Sequence, residues 1–192
     1  MKKLLIPFIL LVVLINACKK DETTTPAAKP RENPMAKILE DKTWTEKSNT
    51  AITWELGYVF GSSVRGKITQ IGCKMPELGT YTVSIWEQNT KKLLRQKTVE
   101  QSSPEKFVLV NVDELIVEKD VKHVISINTV IGGKAKKFYT IANANTDIFP
   151  IARGSILIQQ SVYKNAITSI FPDGGSETGR MYGYSDFTFI PD

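Results

Sequence analysis

The sequence predicts an all-β protein, an antiparallel β-sandwich of jelly-roll-like kind with a short N-terminal helix at most. Three observations carry this. After Trp44, short runs rich in Val, Ile, Thr and aromatic residues are separated throughout by Gly, Pro, Asn and Asp. Several of these runs alternate between apolar and polar side chains, which is the period of a half-buried strand. Helix signals are almost absent, so nothing supplies the crossovers that a parallel sheet needs. Ten such runs within one domain length fit a sandwich whose sheets each keep one wet face. A closed barrel is the competing architecture.

In chain order, Asn33 to Lys42, "NPMAKILEDK", predicts a short lead-in helix, because Asn33 suits a cap and Pro34 the first helical position. Strands are then expected over 51–60, 66–75, 80–87, 93–98 and 106–112. Further strands are expected over 114–117, 121–129, 138–142, 155–163 and 183–190. Tyr81, Val83 and Ile85 share one face, and Thr82, Ser84 and Trp86 the other. Val121, His123, Ile125 and Ile127 oppose Lys122, Val124, Ser126 and Asn128, and Phe187 and Phe189 flank Thr188. Cys73 alternates with Ile71 and Met75 and is expected as a buried free thiol packed as a small hydrophobe.

The N-terminus sets a different expectation. Lys2 and Lys3 precede Leu4 to Ile15, "LLIPFILLVVLI", twelve residues without a polar side chain. A spanning helix needs about 20, and a positive start before a short apolar middle is the layout of a secretory signal peptide. The run ends in Ile15-Asn16-Ala17-Cys18, which resembles the lipobox of bacterial lipoproteins. That resemblance implies a signal peptide over 1–17, cleavage before Cys18, and lipid on the Cys18 thiol and amine. Two or more acyl chains give stable membrane anchoring, whereas one does not. "CKKDE" (Cys18 to Glu22) resembles the surface-export tag of Bacteroidetes lipoproteins, with a plain solvated linker as the alternative. The Pro- and Thr-rich stretch that follows suits an extended spacer, so residues 18–43 are expected as tether and 44–192 as one domain. The implied location is the outer membrane, lipid-anchored at the cell surface.

A second resemblance lies in Glu55-Leu56-Gly57, Phe60, Gly66, Ile68, Ile71, Gly79, Val83, Ile85-Trp86 and Leu93-Leu94, closed by His123-Val124-Ile125-Ser126. This pattern, from about Trp54 to Thr129, is similar to an uncharacterised family of bacterial extracellular domains. It implies a β-sandwich and no particular activity. Members often sit beside adhesion-type or carbohydrate-active modules, which is an association only.

The chemistry of the residues narrows the function classes. The formal charge of +5 falls to +3 once Lys2 and Lys3 leave with the signal peptide, too mild for a nucleic-acid partner. Lysines gather at Lys91, Lys92, Arg95 and Lys97 and at Lys134, Lys136 and Lys137, as solvated turn charges or as a contact for acidic polysaccharide or lipid. The one histidine, His123, has no second histidine for a zinc site and reads as a core-edge residue. "NANTD" (Asn143 to Asp147) and "PDGGSE" (Pro172 to Glu177) are oxygen-rich loops with few acids, closer to turns than to calcium sites. No phosphate loop, nucleophile elbow or metal signature is present, and no cofactor is implied.

Aromatic residues are the better clue. Trp86 lies on the polar face with Thr82 and Ser84, and Tyr182 and Tyr184 share a face with Asp186. These six form the candidate ligand-binding set, with Trp44 and Trp54 flanking the start of the domain. A structural Trp86 covered by a neighbouring loop or strand is the competing reading. The expected function is a non-catalytic surface module that binds carbohydrate or takes part in adhesion. The alternative is an assembly subunit of a surface complex with all its aromatics buried; an enzyme comes third.

One prediction follows from the N-terminus. Cys18→Ala should leave an unprocessed precursor that takes up no labelled fatty acid. Labelling and membrane fractionation as in the unaltered chain would refute anchoring through Cys18.

Overall fold

The computed structural model describes residues 30–192 apart from 42, 105, 144 and 145. The expected signal peptide, Cys18, the charged tag and the first part of the spacer lie outside the described residues. The elements begin with α1 (Pro34–Leu39), β1 (Thr45–Asn49), β2 (Trp54–Ser62), β3 (Gly66–Lys74) and β4 (Gly79–Glu87). They continue with β5 (Leu93–Gln101), β6 (Val108–Val117), β7 (His123–Asn128), β8 (Val130–Ile131) and β9 (Lys134–Ala135). The chain closes with β10 (Phe138–Ala142), β11 (Ile151–Arg153), β12 (Ile156–Asn165), β13 (Gly175–Glu177), β14 (Arg180–Tyr182) and β15 (Tyr184–Pro191). Strand makes up 60% and helix 4%, far from the roughly one-third helix of an average domain, so the all-β class holds.

The large sheet runs β11-β12-β2-β7-β4-β5, with β13 paired to β12. A three-stranded sheet, β15-β3-β6, packs against it, and every pairing is antiparallel. Their facing side chains make one core, with Tyr58 and Phe60 from β2, Tyr81, Val83 and Ile85 from β4, and Phe187 and Phe189 from β15. Phe60 and Phe187 meet with ring centroids 4.4 Å apart, joining the two layers. Each buried ring of this kind contributes about 1.5–3 kcal/mol. At the seam between β5 and β6, the Arg95 guanidinium donates to the Asp113 and Glu114 carbonyls, occupying part of an otherwise open sheet edge. A third sheet, β1-β10-β14, and the hairpin β8-β9 complete the fold, which is an open sandwich and not a barrel.

Local expectations fare unevenly. Tyr81, Val83 and Ile85 all face the core, and Cys73 is a buried free thiol whose pKa burial pushes up to about 12. The two strands expected over 106–112 and 114–117 are one strand, β6, with a register shift against β3. β7 was expected to be half-buried and is buried on both faces. It lies between β2 and β4, and its outer residues Ser126 and Asn128 are roofed by the segment after β12.

The domain also starts earlier than Trp44. Glu32 exchanges both backbone hydrogen bonds with Phe189, and its carboxylate accepts from the Ser155 backbone and hydroxyl. Met35 and Ile38 of α1 are fully buried in the core. Asn33 does not cap the helix with its side chain, which instead donates to the Phe187 carbonyl and the Thr188 hydroxyl. The cap comes from elsewhere in the chain. The fully buried Asp186 accepts the backbone N–H groups of Met35, Ala36 and Phe187 at 3.1, 3.0 and 2.8 Å. The first N–H groups of a helix have no partner within it, and Asp186 satisfies two of them across about 150 residues of sequence.

On the outer face of the large sheet, Glu55 is fully buried, and among the described residues no cation pairs with it. Its carboxylate accepts from the Ser126 hydroxyl at 2.5 Å, the Asn128 amide at 3.0 Å and the Ser169 hydroxyl at 3.3 Å. Burial pushes its pKa up to about 7 against those hydrogen bonds, which pull it down. Asp186 is likewise pushed up to about 7 by burial, opposed by its three backbone donors.

Two predictions come from these carboxyls. Asp186→Ala would strand buried backbone N–H groups and should cost about 2–3 kcal/mol in urea unfolding, whereas the exposed Glu40→Gln should change nothing measurable. Glu55 binds its proton more tightly folded than unfolded, so its stabilisation is full below about pH 4.5 and is lost as pH rises through about 7. The melting temperature should therefore fall by at least about 4 °C between pH 5 and pH 8, and Glu55→Gln should shrink that fall. A flat profile would contradict this assignment.

Candidate functional site

Aromatic side chains from four strands converge on an open cleft of about 290 Å³, lined by Trp54, Leu56, Phe138, Tyr163 and Tyr182. Alternation along β2 puts Trp54 and Leu56 on one face, and register places Tyr163 of β12 opposite Leu56. Phe138 arrives from β10 and Tyr182 from β14. Leu56 and Phe138 are buried and form the floor, while Trp54, Tyr163 and Tyr182 are half-buried and form the walls.

The walls stand roughly perpendicular to one another. Trp54 and Tyr163 are 5.6 Å apart at 85°, and Tyr163 and Tyr182 are 5.6 Å apart at 77°. Edge-to-face pairs of this kind hold each other's orientation. Gly175 of β13 lies against Tyr163, where a β-carbon would come within 2.8 Å of the phenol oxygen, so the ring depends on that glycine for its room. At the rim, the Tyr182 hydroxyl donates to Glu177, and the Arg180 guanidinium lies 6.0 Å from the Tyr182 ring centroid. Burial first, and then the Glu177 carboxylate, push the Tyr182 pKa up to about 12, so the phenol stays a neutral donor near pH 7.

The six residues expected to bind do not come together. Tyr182 stands on the cleft, and Thr82 is half-buried on β4. Ser84 is fully buried and shares a 2.9 Å hydrogen bond with Ser169. Trp86 is only 7% exposed; its indole N–H donates to Ser126 and its ring meets Phe171 edge-on at 6.0 Å. The polar side of β4 is roofed by the segment that follows β12, so polar neighbours there mark a buried network and not a wet face. Tyr184 is fully buried and stacks on Tyr139 at 5.2 Å, and Asp186 serves α1. Tyr182 and Tyr184 were expected to share a face, but Gly183 between them has a φ of +66°. That left-handed turn moves the chain from the β10 sheet to the β3 sheet, so strand alternation does not carry across it.

The other groups considered are held by the protein itself. His123 is buried, stacks on Phe60 at 5.6 Å, and its pKa is lowered by burial. In "PDGGSE", Asp173 accepts from Lys164 and Lys91 at 2.8 and 2.6 Å, which hold its pKa down to about 2. Within "NANTD", residues 144 and 145 lie outside the described residues. Among the described residues, no group of three or more His, Cys, Asp or Glu side chains is placed to hold a metal. Likewise, no helix among them is long and apolar enough to cross a membrane.

Sequence reasoning marked Trp54 and Tyr182 but missed Tyr163, Phe138 and Leu56. The only local signal was an aromatic residue at the end of one predicted strand and the start of another; what joins them is the pairing of β12 with β2 and of β10 with β14. Set against known proteins, the chain matches no family model and no curated protein.

Proposed function

We propose that this chain is a non-catalytic surface lipoprotein module, anchored in the outer membrane through Cys18, that binds carbohydrate at the Trp54–Tyr163–Tyr182 cleft. The observation that carries the binding half is the cleft itself, an apolar floor with half-exposed aromatic walls and polar groups at its rim. Sugars present flat C–H faces that pack on aromatic rings and hydroxyls that need a few placed partners. Small-ligand sites have this same make-up, mostly apolar lining with few polar groups. The anchoring half rests on the sequence around Cys18 alone.

An assembly subunit without a small ligand is the second reading. The shielding of Trp86 and Tyr184 favours it, because two of the three rings first expected to bind are structural. Binding by cleft variants separates the two. For a glycan captured by the detergent-solubilised chain on an array, Trp54→Ala and Tyr163→Ala should each weaken affinity about tenfold or more, equivalent to ~1.4 kcal/mol. Trp86→Phe should leave it within about twofold, since that ring lies under the roof. Capture of no glycan at all would favour the assembly reading, and equal loss in all three variants would remove the cleft as the binding site.

A further inference from the structure

The aromatic cleft does not end at Tyr182. A second depression of about 490 Å³ adjoins it, lined by Asp147, Glu177, Gly179 and Arg180 among others. Two side chains join them. Glu177 lines the second depression while its carboxylate holds the hydroxyl of Tyr182 in the first. Arg180 lines the second depression while its guanidinium covers the Tyr182 ring. The volumes together fall in the range of roughly 300–1,000 Å³ typical of ligand sites, whereas the aromatic part alone sits at its lower limit.

The chemistry of the second depression differs from that of the first. At Gly179 the place a side chain would take is empty, and three oxygens border it. Glu177 Oε1 lies 3.7 Å from that point, and Asp147 Oδ1 and the Thr146 carbonyl oxygen lie 3.9 Å from it. All three are acceptors. Arg180, beside them, only donates, and among the described residues no carboxylate forms an ion pair with it. Adjacent hydroxyls of a sugar ring both donate and accept, which matches acceptors and a donor fork placed side by side. An acidic sugar would bring a third carboxylate beside two, with one guanidinium to offset them, and like charges that close disfavour each other.

We infer that the two depressions form one groove that takes a neutral oligosaccharide of at least two units. One unit packs between the aromatic walls, and the next donates hydroxyls to Glu177 and Asp147 while accepting from Arg180. This inference rests on the carbohydrate reading above and adds chain length, neutrality and a second set of binding residues.

The test uses the detergent-solubilised full chain on an array of neutral and uronate glycans of one to four units, followed by titration calorimetry on the captured species. Neutral dimers or longer chains should bind at least tenfold more tightly than their monomers and than uronate chains of the same length. Asp147→Asn, at a residue that lines only the second depression, should weaken the longer chain about tenfold and leave the monomer unchanged, and Arg180→Ala should weaken the longer chain in the same direction. Melting temperatures within about 2 °C of the parent confirm that the substitutions at the exposed Asp147 and Arg180 leave the fold intact. Loss of binding in Trp54→Ala alone, with the rim variants within twofold and monomers binding as well as chains, overturns this inference and leaves the carbohydrate reading standing. A preference for uronates also overturns it. Capture of no glycan of any kind removes the underlying reading.

Discussion

The carboxyl of Glu55 holds the outer layer of this protein in place. A central strand such as β7 has both faces covered, and its outward residues Ser126 and Asn128 bring polar groups into a dry space. Buried polar groups without partners are costly. Glu55 resolves this by accepting from Ser126, Asn128 and Ser169 together, and Ser126 in turn accepts the indole N–H of Trp86. Ser169 then reaches Ser84, whose hydroxyl also accepts from Gln96. One acid thus ties β2, β7, β4 and β5 to the segment that roofs them. Without that closed set of hydrogen bonds, the roof would lie over unpaired donors.

The location of the cleft follows from where that roof stops. Trp54 stands at the first residue of β2, next to Glu55, and its backbone is held by the Thr129 hydroxyl and amide. Tyr163 sits near the far end of β12, opposite Leu56. Here the large sheet gives way to the β10–β14 pair, and neither sheet is wide enough to cover the rings of the other. Gly183 fixes the geometry of that junction. A β-carbon there would approach Ile127 and Leu56 to about 3.1–3.2 Å, and the positive φ would strain any side-chain-bearing residue. The glycine therefore both delivers Tyr182 to the cleft and sends Tyr184 into the core.

What was legible in the sequence was what depends on local period. The all-β class, the core faces of β4 and β15 and the burial of Cys73 follow from alternation, and the short helix near Pro34 from a proline suited to the first helical position. What was not legible depends on contacts between distant residues. The face of Thr82, Ser84 and Trp86 reads as solvent-facing because nothing near it in sequence announces a roof 85 residues later. β1, "TEKSN", has no apolar residue and is a strand only because β10 offers it a ladder. The start of the domain was placed too late because α1 owes its order to Asp186 and not to its own cap. The cleft was half legible, since Trp54 and Tyr182 were marked as aromatics but their neighbours are set by strand register.

The packing of Glu32 and α1 bears on how an anchored domain would stand at a membrane. Thirteen residues of sequence separate Cys18 from Glu32, which belongs to the sheet through Phe189, so with lipid on Cys18 they set the longest possible span to the fold. Thirteen residues extend at most about 3.3–3.6 Å each, so the fold stands no further than ~45 Å from the lipid surface. Placing the domain start at Trp44 would have added twelve more residues and nearly doubled that reach. With anchoring at Cys18, the early start of the fold would also decide where a pull from the membrane is borne. Force would enter at the Glu32–Phe189 bridge and pass to β15, the strand whose Phe187 packs on Phe60 of the large sheet. Because the Asp186 carboxylate clamps α1 to that same strand, the first element a pull meets is fastened to the centre of the core by buried hydrogen bonds. A terminus tied down in this way resists fraying.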